Sequence, residues 1–379
     1  MALTLYINQQ EWTARLYQME ERFPNYLPVI KGNGYGFGNS FLADAAALVG
    51  KESIAVGTIE EARQIEKTHS FKEIVVLTPV VTPLTTSDIR SDRVYTVGSI
   101  DQLKHLLGEI QKNGEENLTV QILFKCASTM KRFGMTPSEM LQAKEILAQW
   151  NKEERIQVNI QGMAIHFPQE KINSNAQLAQ IGDWIKKLQE MDLPCNTMYV
   201  SHLTSATFKK LCQEHPSTRF IMRVGTDLWL NDRKSFSVRS TVVDVKPIAR
   251  GERYGYKQKR AWKSGYLVSV SGGTAHGIGL AAPSHVKGVK DWVKLTALWL
   301  LGLFNLHPSP FSYQGKRLWF AEPPHMQTSL LKISGRTPVP AIGDELTLQV
   351  RMTTSVFDQY VVTHPLEEST QEAAAAQHD

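Results

Sequence analysis

The chain of 379 residues is 42% hydrophobic and 21% charged and carries a formal net charge of +5, a composition typical of a globular protein with material for two cores. No cluster of Lys and Arg with interleaved aromatic residues is long enough to follow a nucleic acid, so we expect no nucleic-acid partner. Its start lacks the basic and apolar stretches of a secretion signal, and its three cysteines, Cys126, Cys195 and Cys212, are too scattered for a disulfide framework or a zinc site, so we expect a cytoplasmic protein without a bound metal.

Short β-rich runs alternate with helical segments over the first part of the chain. Apolar runs without polar alternation suit strands that are buried on both faces, as in parallel sheets. Eight such strands with helical crossovers match the size of a (β/α)8 (TIM) barrel, which we predict for residues 1–235, although an open doubly wound sheet has the same alternation. The predicted strands are 26–31, 53–57, 73–77, 94–98, 119–125, 157–166, 197–201 and 219–224.

From residue 236 onward the pattern changes to strands separated by turns, without long alternating helices. We predict a second, mostly β domain over residues 236–366, with which the N-terminal residues could also pair. The last residues, 367–379, are predicted to form a flexible tail.

An apolar segment, VKLTALWLLGLFNL, interrupts the β domain at residues 293–306 and follows the basic stretch KGVKDWVK. It is too short to cross a bilayer, which takes about 20 residues. We predict a helix buried at a domain or dimer interface. A helix lying on a membrane surface is the less favoured alternative, because its polar face is thin.

The run VIKGNGYGFG, residues 29–38, ends the first barrel strand with Lys31. A lysine at this position lies at the barrel mouth, where burial lowers its pKa as a Schiff-base amine requires. The glycines allow a sharp turn beside a cofactor, and Tyr35 can reach a phosphate. The run resembles the lysine motif K-x-N-x-Y-G-x-G of the alanine racemases. The resemblance implies pyridoxal 5′-phosphate (PLP) as the cofactor, bound by Lys31 and Tyr35.

Two further barrel segments resemble the same family. FKCASTMKRFGM, residues 124–135, resembles K-x-D-T-G-M-x-R-x-G, with Ala127 and Thr129 in place of its aspartate and glycine. This match places Lys125 at a lysine that is often carbamylated. It places Arg132 at the arginine that contacts the cofactor ring and the substrate. GMAIHF places His166 beside the pyridine ring, although a lone strand histidine is more often a core residue.

Residues after the last two barrel strands are candidates for the phosphate end of the cofactor. Loops at this place in a TIM barrel, with a helix N-terminus, present unpaired N–H groups to an anion. Ser205, Gly225 and Thr226 fit phosphate contacts, although each could equally be an ordinary helix-cap residue. By the resemblance, Arg223 contacts the pyridine nitrogen. Because a guanidinium cannot give up its proton, the ring then stays neutral, which suits racemisation better than transamination.

The β domain resembles the family in its RYGYKQK segment and around Met326, which falls at the methionine near the substrate carboxylate. The resemblance fails at GGTAHG, residues 272–277, where the family has G-Y-A-D-G and its second base, a tyrosine supplied by the partner subunit. Thr274 replaces this tyrosine and His276 replaces the aspartate. An insertion without a family counterpart follows, at about residues 283–313.

A threonine hydroxyl is a poor base, whereas histidine titrates near neutrality, so we predict that His276 serves as the second base. Tyr254, Tyr256 and Tyr266 are alternatives, and so is the absence of any second base.

The resemblance implies a homodimeric PLP-dependent amino-acid racemase or epimerase whose active sites are completed by the partner subunit. Lys31 would remove the Cα proton from one face of the substrate and His276 would serve the other. The loss of the tyrosine keeps two alternatives open: a PLP-dependent decarboxylase or eliminase, and a PLP-binding protein without catalysis. The sequence does not identify which amino acid is the substrate.

Overall fold

The computed structural model describes residues 2–168, 173–231, 233–281, 286–334 and 338–364. The chain divides into two compact units, Thr13–Asn231 and a unit made of Met1–Trp12 with Asp232–Asp379. It begins with strand β1 (Leu3–Asn8) and helix α1 (Gln9–Arg22), which spans this division. The predicted tail, 367–379, and the first residues of the predicted insertion, 283–285, lie outside the described residues.

The unit Thr13–Asn231 is a closed barrel of eight parallel strands, which confirms the predicted fold. Each strand pairs with the next, and the last pairs with the first. The strands are β2 (Leu27–Ile30), β3 (Ser53–Val56), β4 (Glu73–Val76), β5 (Arg93–Val97), β6 (Thr119–Lys125), β7 (Gln157–Ala164), β8 (Thr197–Val200) and β9 (Arg219–Val224).

Helices follow seven of the barrel strands, whereas one helical turn, Thr86–Asp88, follows β4. Two helices begin with a capping box, in which the first Thr and a Glu three residues later bond each other's backbone N–H groups. The helices are α2 (Asn39–Leu48), α3 (Ile59–Glu66), α4 (Ile100–Asn113), α5 (Pro137–Glu153), α6 (Ser174–Glu190), α7 (Ser205–Glu214) and α8 (Thr226–Trp229).

The interior of the barrel is filled by side chains from every strand. Small and large residues share this layer, since Ala55 and Ala164 lie with Leu123 and Tyr199, and all four are almost completely buried. The barrel is therefore a packed core, and side chains that carry chemistry lie at its ends. The remaining members of this cluster are Leu27, Val29, Val75, Val94 and Ile221.

The other unit is built on an eight-stranded, mostly antiparallel sheet, as the turn-rich pattern predicts. Strand β1 joins it, antiparallel to β10 and parallel to β18. The N-terminal residues thus pair with the β domain. Its other elements are β10 (Phe236–Ile248), β11 (Arg253–Tyr254), β12 (Lys259–Arg260), β13 (Gly265–Ser271), α9 (Val289–Leu303), β14 (His307–Tyr313), β15 (Lys316–Phe320), β16 (Thr328–Ser334), β17 (Glu345–Leu348) and β18 (Gln359–Thr363).

Helix α9 contains most of the apolar segment that the sequence sets apart. None of its residues is buried within the chain, and it contacts strand β14. The predicted helix is present, and its burial at an interface between chains stays a prediction. Among the described residues, no helix combines the length and apolar content needed to cross a membrane.

Candidate active site

Lys31 follows the last residue of β2 and is exposed at the end of the barrel where the strands terminate. The turn after it is tight. Gly34 has a φ of +61°, and a Cβ there would lie 2.6 Å from the backbone N of Asn39. Tyr35 next to it also adopts a positive φ, of 53°, and its side chain is buried. The glycine-rich turn therefore brings Lys31 and Tyr35 to the same end of the barrel.

Glu61, on α3, holds the Lys31 loop against the neighbouring loop. One carboxylate oxygen accepts the N–H of Gly32 at 2.6 Å, and the other accepts the N–H groups of Gly57 and Thr58 at 2.6 and 3.1 Å. A Cβ at Gly57 would lie 2.8 Å from this carboxylate and 3.1 Å from Cβ of Lys31, so glycine allows the two loops to approach this closely. Sequence reasoning missed Glu61 as a site residue, although the T-x-x-E spacing from Thr58 was a signal that could have found it.

The electrostatic environment of Lys31 favours its neutral form. Desolvation by the surrounding protein atoms lowers the pKa of Lys31, and the positive charges of Arg132 and Arg223 lower it further, while Glu61 opposes them. Among the described residues, Nζ of Lys31 makes no hydrogen bond or ion pair. A lysine of this kind is a nucleophile and a base at lower pH than an ordinary lysine.

Lys125, at the end of β6, is a second lysine of the same mouth. Its Nζ donates to the carbonyl of Arg132 at 3.1 Å and lies 5.1 Å from the ring centre of Phe133. Burial, followed by the charges of Arg223 and Arg132, lowers the pKa of Lys125 to about 8. Because Ala127 replaces the aspartate of the family motif, the ammonium has no acidic partner at that position.

The loop that carries Arg132 is fixed by its backbone. The N–H of Met135 donates to the carbonyl of Lys125 at 2.8 Å, and that of Gly134 donates to the carbonyl of Gly98 at 3.0 Å. Gly134 has a φ of +116°, and a Cβ there would lie 2.7 Å from a backbone oxygen. Arg132 itself is exposed and free to reach a bound anion.

His166 and Arg223 lie together after β7 and at the end of β9. Nδ1 of His166 lies 2.5 Å from the Ser201 hydroxyl and 3.4 Å from Nη2 of Arg223. Burial first, and then the charge of Arg223, lower the pKa of His166 to about 2, so the imidazole is neutral at pH 7. Nδ1 then accepts from both neighbours and Nε2 carries the proton. The second histidine of this group, His202, has its ring centre 5.0 Å from that of His166.

Arg223 has an N–H donor that makes no hydrogen bond to the described residues. Its Nη2 donates to the carbonyl of Ile165 at 3.1 Å, while its buried Nε has no hydrogen-bond partner among the described residues. Burial lowers the pKa of Arg223 to about 10, which still leaves it protonated at neutral pH. A buried cation with an unused donor is unfavourable unless an acceptor binds there.

The predicted phosphate contacts occupy the same end of the barrel. Burial raises the pKa of Tyr35, which keeps its hydroxyl protonated, and neighbouring Thr226 opposes this shift only in part. A Cβ at Gly225 would lie 2.2 Å from that hydroxyl, so the tyrosine fills the space that glycine leaves open. Ser205 begins α7, and its hydroxyl donates to the carbonyl of Arg22 at 3.2 Å. Its backbone N–H is therefore the group suited to a phosphate.

His276 and Thr274 belong to the β domain. Both ring nitrogens of His276 are engaged there: Nδ1 accepts the N–H of Gly273 at 3.2 Å, and Nε2 lies 3.0 Å from the carboxylate of Asp358. Asp358 also accepts the N–H of Leu3 at 2.7 Å. His276 is thus buried and connects Gly273 to Asp358 by two hydrogen bonds. It would have to break one of them before exchanging a proton with a substrate.

His325, also in the β domain, is a candidate site residue that the sequence analysis did not identify. Nε2 of His325 lies 2.9 Å from the carboxylate of Glu322, which is buried, and its ring meets that of Tyr256 edge-on at 4.8 Å. The His325 carbonyl accepts the N–H of Thr274 at 2.8 Å, and exposed Met326 follows it. This imidazole is oriented by a carboxylate and is partly accessible.

Comparison with known proteins identifies the family of the chain. The model of the alanine racemase N-terminal domain matches residues 7–231, more than half of the chain. The chain belongs to the alanine racemase family. An alanine racemase of Halalkalibacterium halodurans is 21% identical over 267 residues, 65% of this chain and of that protein. An alanine racemase of Staphylococcus saprophyticus is 29% identical over 141 residues, 37% of this chain and 35% of that protein.

Solved structures of alanine racemases resemble the whole chain. The enzyme of E. faecalis has a TM-score of 0.66 at 19% identity and covers 95% of this chain and 98% of its own. The alanine racemase of Clostridium difficile 630 has a TM-score of 0.69 at 16% identity, and the match covers 97% of this chain and 98% of that chain. At these identities the likeness establishes the fold. The curated relatives above are matched over about a third to just under two thirds of their own length.

The barrel mouth of this alanine racemase family member fits PLP, a cofactor with a doubly charged phosphate and a ring nitrogen that accepts a hydrogen bond. Lys31, Lys125, Arg132 and Arg223 supply positive charge, and their mutual repulsion falls when an anion binds. The unused Nε shows that Arg223 retains donor capacity. The open space at Gly225 admits the Tyr35 hydroxyl at the predicted phosphate end.

The substitution Gly225→Ala tests this arrangement. The new methyl group would displace Tyr35, and overpacking of this kind costs about 1–3 kcal/mol. We expect the affinity for PLP, measured by fluorescence titration, to fall about 10- to 100-fold. Gly108→Ala on α4 is the matched control, because its Cβ would meet no atom within 4 Å. Unchanged PLP affinity in Gly225→Ala would contradict the role given to Tyr35.

Proposed function

We propose that the chain is a PLP-dependent amino-acid racemase that acts as a homodimer. The observation that carries this proposal is the pairing of Lys31, a lysine with a lowered pKa, with Arg223, a guanidinium that stays charged in the same mouth. When bound, PLP supplies the electron sink that acidifies the Cα proton of an amino acid. Because Arg223 can donate a hydrogen bond but not a proton to the ring nitrogen, the arrangement favours reprotonation at Cα.

Each residue of the mouth has a role that its geometry supports. Lys31 binds the cofactor and, once released, accepts or donates the Cα proton at Nζ. Arg132, exposed and cationic, binds the substrate carboxylate. Neutral His166, held by Ser201, would contact the cofactor ring without adding charge. Glu61 fixes the loop that carries Lys31, so that Nζ approaches one face of Cα.

The phosphate of the cofactor is proposed to bind at Tyr35, Gly225, Thr226 and the backbone N–H of Ser205. The Tyr35 hydroxyl stays protonated and Thr226 lies close enough to act on its pKa, so both groups can donate to a common acceptor. These groups would hold the phosphate end of the cofactor at the mouth that also contains Lys31.

The second face of the substrate needs a proton donor from the partner subunit. His276 is the group that the sequence predicts, and its two hydrogen bonds within the β domain hold it in place. His325 is engaged at one nitrogen, oriented by Glu322, and adjacent to Met326, for which the family resemblance implies a place near the substrate carboxylate. We infer that His325 is the stronger candidate and that His276 positions the Thr274 segment.

We expect the purified protein with PLP to interconvert the enantiomers of at least one amino acid, measured by chiral chromatography on a panel of L- and D-amino acids. Lys31→Ala should reduce this rate by at least about 10²–10⁴-fold, because it removes the proposed base. Lys72→Ala is the matched control, since Lys72 is an exposed lysine that pairs with the exposed side chain of Glu52.

Two outcomes would overturn the racemase proposal. If no amino acid exchanges its Cα proton with solvent, the protein binds PLP without this catalysis. If carbon dioxide or ammonia is released instead, the reaction is decarboxylation or elimination.

The two histidines are distinguished by His325→Asn and His276→Asn, assayed for Cα exchange in deuterated water. If His325 serves the second face, His325→Asn should lower racemisation about 10²–10⁴-fold while exchange continues from the Lys31 face. His276→Asn should mainly lower the free energy of unfolding, by about 1–3 kcal/mol, because Asp358 and the Gly273 N–H lose their partner. If instead only His276→Asn loses exchange at the second face, His276 is the base, as the sequence predicts.

A further inference from the structure

Helix α9 presents an apolar face that the chain itself leaves uncovered. Trp292, Trp299 and Leu303 are 63%, 64% and 59% exposed. At 100° per residue, their spacings of seven and four residues place them on one side of the helix. Val289, which is 78% exposed, lies at the edge of the same face. A contiguous group of exposed, large apolar side chains marks an interaction surface.

The opposite side of α9 is basic over the first half of the helix. Lys290 and Lys294, one helical turn apart, are exposed and lie about 180° from the tryptophans. Toward the end of the helix, Leu301 on this other side is half-buried. Tryptophan on one side and lysine on the other is the arrangement of helices that lie in the plane of a membrane surface.

A basic groove adjoins the C-terminal end of α9. It has a volume of about 760 Å³, and Phe304 and Leu306, which follow the helix, line it together with exposed Trp262 and Trp319. No Asp or Glu occurs among the described residues of its lining. Its cations are Lys259, Arg260, Lys263, Lys316, Arg317 and Lys332.

Charge along the chain is concentrated in this region. Residues 250–320 contain eleven Lys and Arg against two acidic residues, a net charge of +9, whereas the whole chain carries +5. The remainder is therefore net negative, by four charges. A two-fold contact between copies of α9 would bring two such basic regions together, so charge complementarity favours an anionic partner for α9 over a second α9.

We propose that α9 and the adjoining groove bind the surface of a bilayer that contains anionic lipids. The tryptophan face lies among the headgroups and upper acyl chains, and the Lys and Arg side chains of the groove bind lipid phosphates. The helix lies on the membrane, because its fifteen residues span about 22 Å, less than the roughly 30 Å of a bilayer core. This surface would hold the proposed enzyme at a membrane without altering its barrel.

Sedimentation of the full chain with vesicles tests the proposal. We expect wild-type protein to bind phosphatidylcholine vesicles that contain phosphatidylglycerol, and to bind vesicles of phosphatidylcholine alone much less. Trp292→Ser combined with Trp299→Ser should weaken binding on the order of tenfold or more, because bound apolar area is lost. Lys263→Gln combined with Lys316→Gln should weaken vesicle binding about fivefold for each charge removed. Added salt should also weaken binding, because it screens the charges.

The matched control is Lys72→Gln with Lys186→Gln, which removes two exposed lysines of the barrel unit and should leave binding unchanged. Circular dichroism establishes that each variant is folded, and the groove variant does not alter α9. Three outcomes would overturn the proposal. They are no binding of wild-type protein to anionic vesicles, binding that survives both double substitutions, and an oligomer in solution that the tryptophan substitutions dissociate while vesicle binding is absent.

Discussion

Concentrated positive charge at the mouth of the barrel is the constraint on which the candidate site depends. Desolvation, followed by the positive charges of Arg132 and Arg223, lowers the pKa of both Lys31 and Lys125. Glu61 is the carboxylate that acts on Lys31, and both of its oxygens accept hydrogen bonds from backbone N–H groups. Such a mouth is unfavourable when empty of anions and becomes favourable when a phosphate and a carboxylate bind. The same repulsion that recruits the ligands also makes Lys31 a better nucleophile.

The barrel makes this arrangement possible because its strands fix where each side chain emerges. Lys31, Lys125 and Arg223 lie at or just beyond the ends of three different strands, and the packed interior below them resists collapse. Close contacts then set the loops, since a Cβ would lie 2.6 Å from backbone at Gly34, 2.8 Å from the Glu61 carboxylate at Gly57 and 2.2 Å from the Tyr35 hydroxyl at Gly225. Rigid loops of this kind reduce the entropy lost when a cofactor binds.

The barrel and the cofactor residues could be predicted from sequence because their signals are local. Apolar runs gave all eight strands within about two residues of their observed ends, and the Lys31 motif is contiguous. Interactions between distant segments left no such signal. The hydrogen bonds of Glu61 to Gly32 and of His325 to Glu322 depend on how loops meet in three dimensions. The exposure of α9 was not foreseen either, since an apolar helix is ordinarily covered by its own chain.

The central claim is that Lys31 holds the cofactor, and it has a real competitor within the same mouth. Lys125 is also a desolvated lysine, and its pKa of about 8 makes it reactive toward an aldehyde near neutral pH. Borohydride reduction of the protein with bound PLP, followed by proteolysis and mass spectrometry, fixes the cofactor to the lysine that holds it and identifies that lysine. The account predicts a pyridoxyl group on the peptide that contains Lys31. A pyridoxyl group on Lys125 or another lysine, with Lys31 unmodified, would contradict it.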